Sequence, residues 1–542
     1  MKKTLILLLA GTLFLSACQF SGQNISDESD SGEQIPSPVV DASEGNDSAE
    51  SGSAESDFAE GGSEEGGAAG DDSSELSGTS LPIITIESFN VQRYTEDGET
   101  LLVEITGDNI ILSGDGYEKA AEAVRKHFYC TKEELFGQID ALMEMAMDQY
   151  TATKDQYDWF APYGSRTSYE VTRLDTNVLS VKGYSYDYEG GAHGHGAEWG
   201  TAIDLKNGAE LALSQLAGDA PEFMNKVLEV VLEDLSTRQE QDDLFDAYES
   251  YVEQHIEETN WYLDAAGIVL VYTPYEIGPY ASGSIAVRVP YEEVSEYMKA
   301  EYLPLQESYI NRLPIDCEVT AELPDGTCTV LWQMEYVGPY DDFETTVTVN
   351  GGDSLVEPIV SVQHAYLMGR PDGRCFLIFD IDWASDDYET FVYELGTDGA
   401  VQTADVWAAL DGKNINMDGM KLRFSIDVLG TYISRMPYAL TEDGGLEPME
   451  NIYTFTPNRE WQGLTTTREL AVTVNGQQTV LPAGTSLFID ATDNVGTAWF
   501  TTDENSGMVS GEIHYERRED DYQLYIDGIS EYEYFEMLPY TG

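Results

Sequence analysis

Tyr184-Ser185-Tyr186-Asp187-Tyr188-Glu189-Gly190-Gly191-Ala192-His193-Gly194-His195 opens the part of the chain whose reading decides the fold. It continues through Trp199-Gly200-Thr201-Ala202-Ile203-Asp204-Leu205-Lys206-Asn207-Gly208. It closes at Tyr272-Thr273-Pro274-Tyr275-Glu276-Ile277-Gly278-Pro279-Tyr280-Ala281-Ser282-Gly283. Tyr184, Tyr186 and Tyr188 alternate with polar residues, which puts three aromatics on one face of a strand. Gly190-Gly191 turns the chain, because glycine takes positive φ without a Cβ clash. Asn207-Gly208 is a second strong turn signal. The unit therefore reads strand, turn, strand, helix, strand, Pro/Gly loop, and a last strand over residues 284–289.

Upstream, residues 83–86, 101–105 and 109–112 read as strands, and 116–127 and 133–150 as helices. Thr131 with Glu134 forms a capping box at the second helix. Leu135, Ile139, Leu142, Met143 and Ala146 recur at helical spacing, the pattern of a core-facing stripe. Residues 169–174 and 178–188 return to strand alternation. Within the central unit, Asp219, Pro221 and Glu222 mark a helix entrance, and Phe223, Val227, Val230, Val231 and Leu235 form its apolar stripe. A second helix runs through Phe245, Tyr248, Val252 and His255, ahead of a strand over 267–272. Blocks of helix and strand make the N-terminal half α+β, with antiparallel sheets and packed helices.

After residue 304 the pattern changes. Residues 328–334, 345–349, 375–380, 390–395 and 422–426 alternate between turns of Gly, Asp and Asn. No long amphipathic helix intervenes, so this half reads as mostly β, and no repeat period supports a propeller. Residues 468–542 carry short strands at small-barrel spacing and resemble a bacterial SH3-like wall-targeting module.

The Gly-Gly-Ala-His turn at 190–193, the Ile-Asp-Leu-Lys-Asn-Gly segment at 203–208 and the Tyr-Glu-Ile-Gly-Pro-Tyr-Ala-Ser-Gly loop at 275–283 resemble the RsiV-like extracytoplasmic domain. In that family the domain commonly follows a PdaC-type accessory domain. The resemblance implies a PdaC-type domain at 81–182 and an RsiV-like domain at 183–303, and the strand pattern leaves a β-rich domain of open role at 304–467 before the SH3-like module at 468–542. It also implies a receptor for lysozyme, a basic muramidase. It does not imply catalysis, because the deacetylase activity of PdaC proteins belongs to a separate catalytic domain. An anti-sigma role does not carry over, since that needs a membrane-spanning helix and a cytoplasmic segment.

The 542 residues include 100 acidic and 27 basic side chains, a formal net charge of −73. Such a chain repels nucleic acid and anionic lipid surfaces, and favours basic partners or cations. Lys2-Lys3, the apolar run 4–15 and Leu15-Ser16-Ala17-Cys18 resemble a lipoprotein signal with its lipobox. Residues 1–18 are thus expected to be the signal, and Cys18 the acylated N-terminus held in the bilayer by two or more chains. Residues 19–80 contain no Lys or Arg and little to bury, the composition of a disordered acidic tether. Cys130, Cys317, Cys328 and Cys375 are too sparse for a disulfide scaffold. The turn Pro324-Asp325-Gly326 sets Cys317 and Cys328 about six residues out of step, roughly 20 Å along the strands. A disulfide needs Cα atoms within about 7 Å, so these two are not expected to bond.

His193 and His195, with Glu198 nearby, are the local cluster with metal-ligand character, but no third ligand at zinc-motif spacing accompanies the two histidines. No nucleophile elbow, phosphate loop or dinucleotide fingerprint is present, and no cofactor or catalytic residue is expected. Tyr272, Tyr275, Glu276 and Tyr280, on a loop stiffened by Pro274 and Pro279, read better as a binding surface. The expected function is non-catalytic binding of a cell-wall-space ligand, either a lysozyme-like protein or peptidoglycan, by a lipid-anchored extracytoplasmic protein. A zinc-dependent wall hydrolase and a structural wall-binding protein are the alternatives.

Overall fold

Ile84, Ile86, Ile110 and Leu112 are buried between more exposed neighbours, one face of the first two strands, while Val103 and Ile105 bury the opposite face of the second. β1 (Ile83–Tyr94) and β2 (Leu101–Ser113) pair as a long antiparallel hairpin. The computed structural model describes residues 80–157, 159–239, 243–304, 308–336, 343–357, 360–383, 387–455, 462–503, 506–519 and 521–541. Cys18, the expected signal and residues 19–79 of the expected tether lie outside them. Two strands were expected where β2 is one. Its Gly107, which reads as a break, is where the Phe89 ring crosses the backbone, and a Cβ there would come within 2.4 Å of that ring.

α1 (Glu118–Phe128) and α2 (Lys132–Thr153) follow. The capping box forms: the Glu134 N–H donates to Thr131 Oγ1 at 3.3 Å, and the Thr131 N–H donates to Glu134 Oε2 at 3.0 Å. Ile139, Leu142 and Ala146 are buried with Leu102, Val103, Ile105 and Tyr163, and Leu135 and Met143 pack beside them. Gly137 lies in α2 with nothing within 4 Å of where a Cβ would stand. Gly137→Ala is therefore expected to stabilise the protein by about 0.5–1 kcal/mol, read as a raised denaturation midpoint.

Next come β3 (Tyr163–Asp175), β4 (Val178–Tyr188), β5 (His195–Asp204), β6 (Ala209–Glu210), α3 (Ala220–Arg238) and α4 (Tyr248–His255). They are followed by β7 (Asn260–Leu263), β8 (Gly267–Tyr272) and β9 (Ile285–Pro290), which make a small sheet of their own. Pro221 sits in the first turn of α3, where its missing N–H costs nothing. Phe223, Val227, Val231 and Leu235 then bury against this small sheet.

β10 (Tyr309–Arg312), β11 (Cys317–Leu323), β12 (Gly326–Tyr336), β13 (Phe343–Val349), β14 (Ser361–Gly369), β15 (Cys375–Asp382), β16 (Tyr388–Gly396) and β17 (Gly399–Val406) continue the chain. An eleven-stranded sheet runs β17-β16-β15-β14-β10-β3-β4-β5-β6, with β2 parallel to the start of β3 and β1 beyond it. This sheet crosses the expected domain boundaries. The one at 182/183 falls inside β4, and β10, past 303/304, pairs with Arg173–Asp175 of β3. Such long-range pairing leaves no local trace in a sequence.

β11, β12 and β13 form a separate sheet over the far end, enclosing Trp332, Cys328, Tyr309 and Cys375. Cys317 pairs with Trp332 and Cys328 with Ala321, a smaller offset than expected, and the four described cysteines are free thiols. Beyond residue 406 the described residues form a four-stranded, a seven-stranded and a three-stranded sheet, so the C-terminal half is mostly β. Tyr453–Thr454 and Leu464–Thr465 belong to the seven-stranded sheet, which therefore begins before the expected boundary at 468. Among the described residues, no helix is long and apolar enough to cross a membrane.

Candidate functional site

Directly opposed residues of an antiparallel pair share a face. Arg166, Ser168 and Glu170 of β3 thus stand beside Tyr186, Tyr184 and Lys182 of β4, which in turn face Gly196, Glu198 and Gly200 of β5. The other face carries Tyr169 and Trp199, both packed on Phe128 of α1. β7 covers one end of the first face. There the Leu263 N–H donates to Ser180 Oγ at 2.7 Å, Thr172 Oγ1 donates to Leu263 O at 2.6 Å, and Gly200 meets the Trp261 backbone. The loop that follows β8 borders the other end, where Tyr280 donates to Gly194 O and the Glu198 N–H donates to Ser284 Oγ at 3.0 Å, and the open strip of sheet face between these two ends is the trough.

That loop is clamped from beneath. Glu276 accepts from the Thr273 N–H and, at 2.8 Å, from the Tyr251 hydroxyl. Burial first, and then Glu276, raise the Tyr251 pKa, so it stays a neutral donor. The Tyr275 N–H donates to Gly278 O at 2.9 Å, and Tyr275 takes a φ of +76° with its side chain 58% exposed. Tyr280 donates to Gly194 O at 2.9 Å and stacks on His193 at 4.5 Å and 26°. Tyr275 lies 6.0 Å from Tyr280, and His193 meets His195 edge-on at 5.8 Å. Gly194 and Gly196 permit this arrangement. A Cβ would come within 2.4 Å of the Tyr186 ring at Gly194, and within 2.9 Å of the Tyr184 hydroxyl at Gly196. Burial and the neighbouring Tyr186 push the Tyr184 hydroxyl up, against the pull of Arg166.

The sequence candidates divide accordingly. Tyr275 and Tyr280 join the rim together with His193, whereas His195, on the opposite face of β5, meets the His193 ring edge-on. Tyr272 does not belong to a binding surface: its side chain is fully buried in the core of the small sheet. Glu276 is occupied as the loop's clamp. Glu198 does not complete a metal set with the histidines, because strand alternation puts it on the face opposite His195 and it pairs with Lys182 at 2.8 Å. Among the described residues, no group of three or more His, Cys, Asp or Glu could hold a metal ion. Sequence reasoning missed Arg166 and the two glycine seats. The signal for the seats was present, since His-Gly-His-Gly lies opposite Tyr-x-Tyr.

Residues 112–195 match the family model described as Deacetylase PdaC, and residues 217–292 match the one described as Protein of unknown function (DUF3298). The chain thus carries a PdaC domain followed by a DUF3298 domain. Tyr184, Tyr186, His193 and Gly194 fall in the first matched segment and Tyr275 and Tyr280 in the second, so the trough lies at their seam. A DUF3298-family protein from Bacteroides fragilis is 16% identical, with 41% of this chain and 96% of that chain covered, at a TM-score of 0.31. A DUF3298-family protein from Pseudomonas aeruginosa is 15% identical, with 42% and 97% covered, at a TM-score of 0.28. No curated protein matches the chain.

Proposed function

We propose that the chain is an extracytoplasmic lipoprotein, anchored through an acylated Cys18, that binds a ligand of the cell-wall space without transforming it. The PdaC and DUF3298 domains fit a cell-wall setting, and the RsiV-like reading of 183–303 and the SH3-like reading of 468–542 belong to the same proposal. The observation that carries it is the Tyr275–Tyr280–His193 aromatic cluster, with Tyr275 and His193 exposed and Tyr280 half-buried between them, assembled from two segments far apart in sequence and clamped beneath. Rigid aromatics offer contact area at low entropic cost, and anchors of this type dominate binding energy.

Titration of the full chain with lysozyme and with soluble wall fragments tests the reading. Removing both rings by Tyr275→Ala with Tyr280→Ala is expected to cost about 2 kcal/mol of affinity, roughly thirtyfold. Retained affinity in that variant, or turnover of the wall fragment by the purified chain, would defeat the proposal.

A further inference from the structure

We infer that the trough takes a carboxylate-bearing glycan, the chemistry of a peptide-substituted wall glycan, with Arg166 holding a carboxylate and the tyrosine rings lying against the sugars. The inference rests on the binding function proposed above and narrows its ligand. With 100 acidic residues to 27 basic ones, cations on this face find partners readily. Lys182 pairs with Glu198, and Arg312 pairs with Glu170. Arg166 is exposed, and among the described residues no ion pair or side-chain hydrogen bond engages it. Glu104 on the adjoining β2 is taken instead by Asn90 and Gln92, at 3.3 and 2.6 Å. Arg166 stands directly across the ladder from Tyr186.

A guanidinium presents paired N–H donors that match a carboxylate, and among the described residues this one has no carboxylate partner. The field of a molecule at −73 opposes free anions, so a lone carboxylate gains little here. Binding then needs neutral contact area beside the anchor, and the rings supply it. The positive C–H edge of a pyranose suits the negative face of a tyrosine, and the Tyr184 hydroxyl can hydrogen-bond a sugar oxygen. A basic protein ligand would meet an unpaired positive charge at this spot.

The test is a calorimetric titration of the full chain with four probes: a disaccharide-peptide released from bacterial wall, the neutral sugar chitotetraose, an oligogalacturonate, and lysozyme. The wall fragment is expected to bind at least tenfold more tightly than chitotetraose. Arg166→Ala should abolish that margin while leaving chitotetraose binding and the thermal midpoint unchanged, and Arg166→Lys should restore part of it. Tyr184→Leu should weaken both sugars. Equal binding of the charged and neutral probes, or an unchanged margin in Arg166→Ala, overturns the inference. Oligogalacturonate binding as tight as the wall fragment overturns its assignment to wall glycan. Lysozyme binding with no glycan binding refutes the inference and leaves the binding function standing, whereas silence toward every probe removes both.

Discussion

Arg173→Leu is expected to destabilise the protein by about 3–5 kcal/mol, seen as a large fall in the denaturation midpoint. Arg173 is 1% exposed, and each of its five N–H donors is used. Nε and one Nη2 hydrogen go to Asp175 Oδ2 at 2.9 and 2.7 Å. Nη1 reaches the Tyr291 hydroxyl and Tyr302 O, each at 2.9 Å, and Nη2 also reaches Leu303 O at 2.8 Å. One side chain therefore ties the end of the DUF3298 segment to β3 of the large sheet. Leucine would leave Asp175, itself fully buried, with a charge that nothing balances, and two carbonyls without donors. The double variant Arg173→Leu with Asp175→Leu should recover part of the loss, because it removes the stranded charge. A single variant as stable as the parent would show that the network contributes nothing.

Local chemistry was legible and long-range pairing was not. The Thr131–Glu134 box, Pro221 in the first turn of α3, and the stripes at 135–146 and 223–235 each depend on residues within a few turns of one another, and each forms. The Pro324-Asp325-Gly326 turn likewise closes the β11–β12 hairpin. The pairing of β10 with β3, by contrast, joins segments separated by the whole DUF3298 domain. Tyr272 was misjudged although a signal existed. Residues 268–272 are apolar without alternation, which is the mark of a strand covered on both faces. β8 is covered in that way, between α3 on one side and the large sheet on the other. Arg166 was invisible for the opposite reason, since nothing local separates an arginine with a partner from one without. Only the register across β3, β4 and β5 reveals its neighbours.

Gly200→Val is expected to cost about 3 kcal/mol or more and to abolish ligand binding together with stability. A Cβ at Gly200 would stand 2.7 Å from both the carbonyl carbon and oxygen of Trp261, and 2.8 Å from the Tyr262 Cβ. None of these atoms is the free end of a flexible side chain, so relief requires β7 to lift from β5. Lifting would stretch the bonds that Ser180 and Thr172 make to Leu263, and would carry the Tyr275 loop away from Gly194, where Tyr280 is anchored. Gly218→Ala is the control: nothing lies within 4 Å of its Cβ position, and the change is expected to stay within about 0.5 kcal/mol. If Gly200→Val kept both midpoint and affinity, the small sheet would not be seated on β5 as described. If it lost stability but kept affinity, the trough would not depend on that seating, and the rim built by Tyr275 and Tyr280 could not be the binding surface.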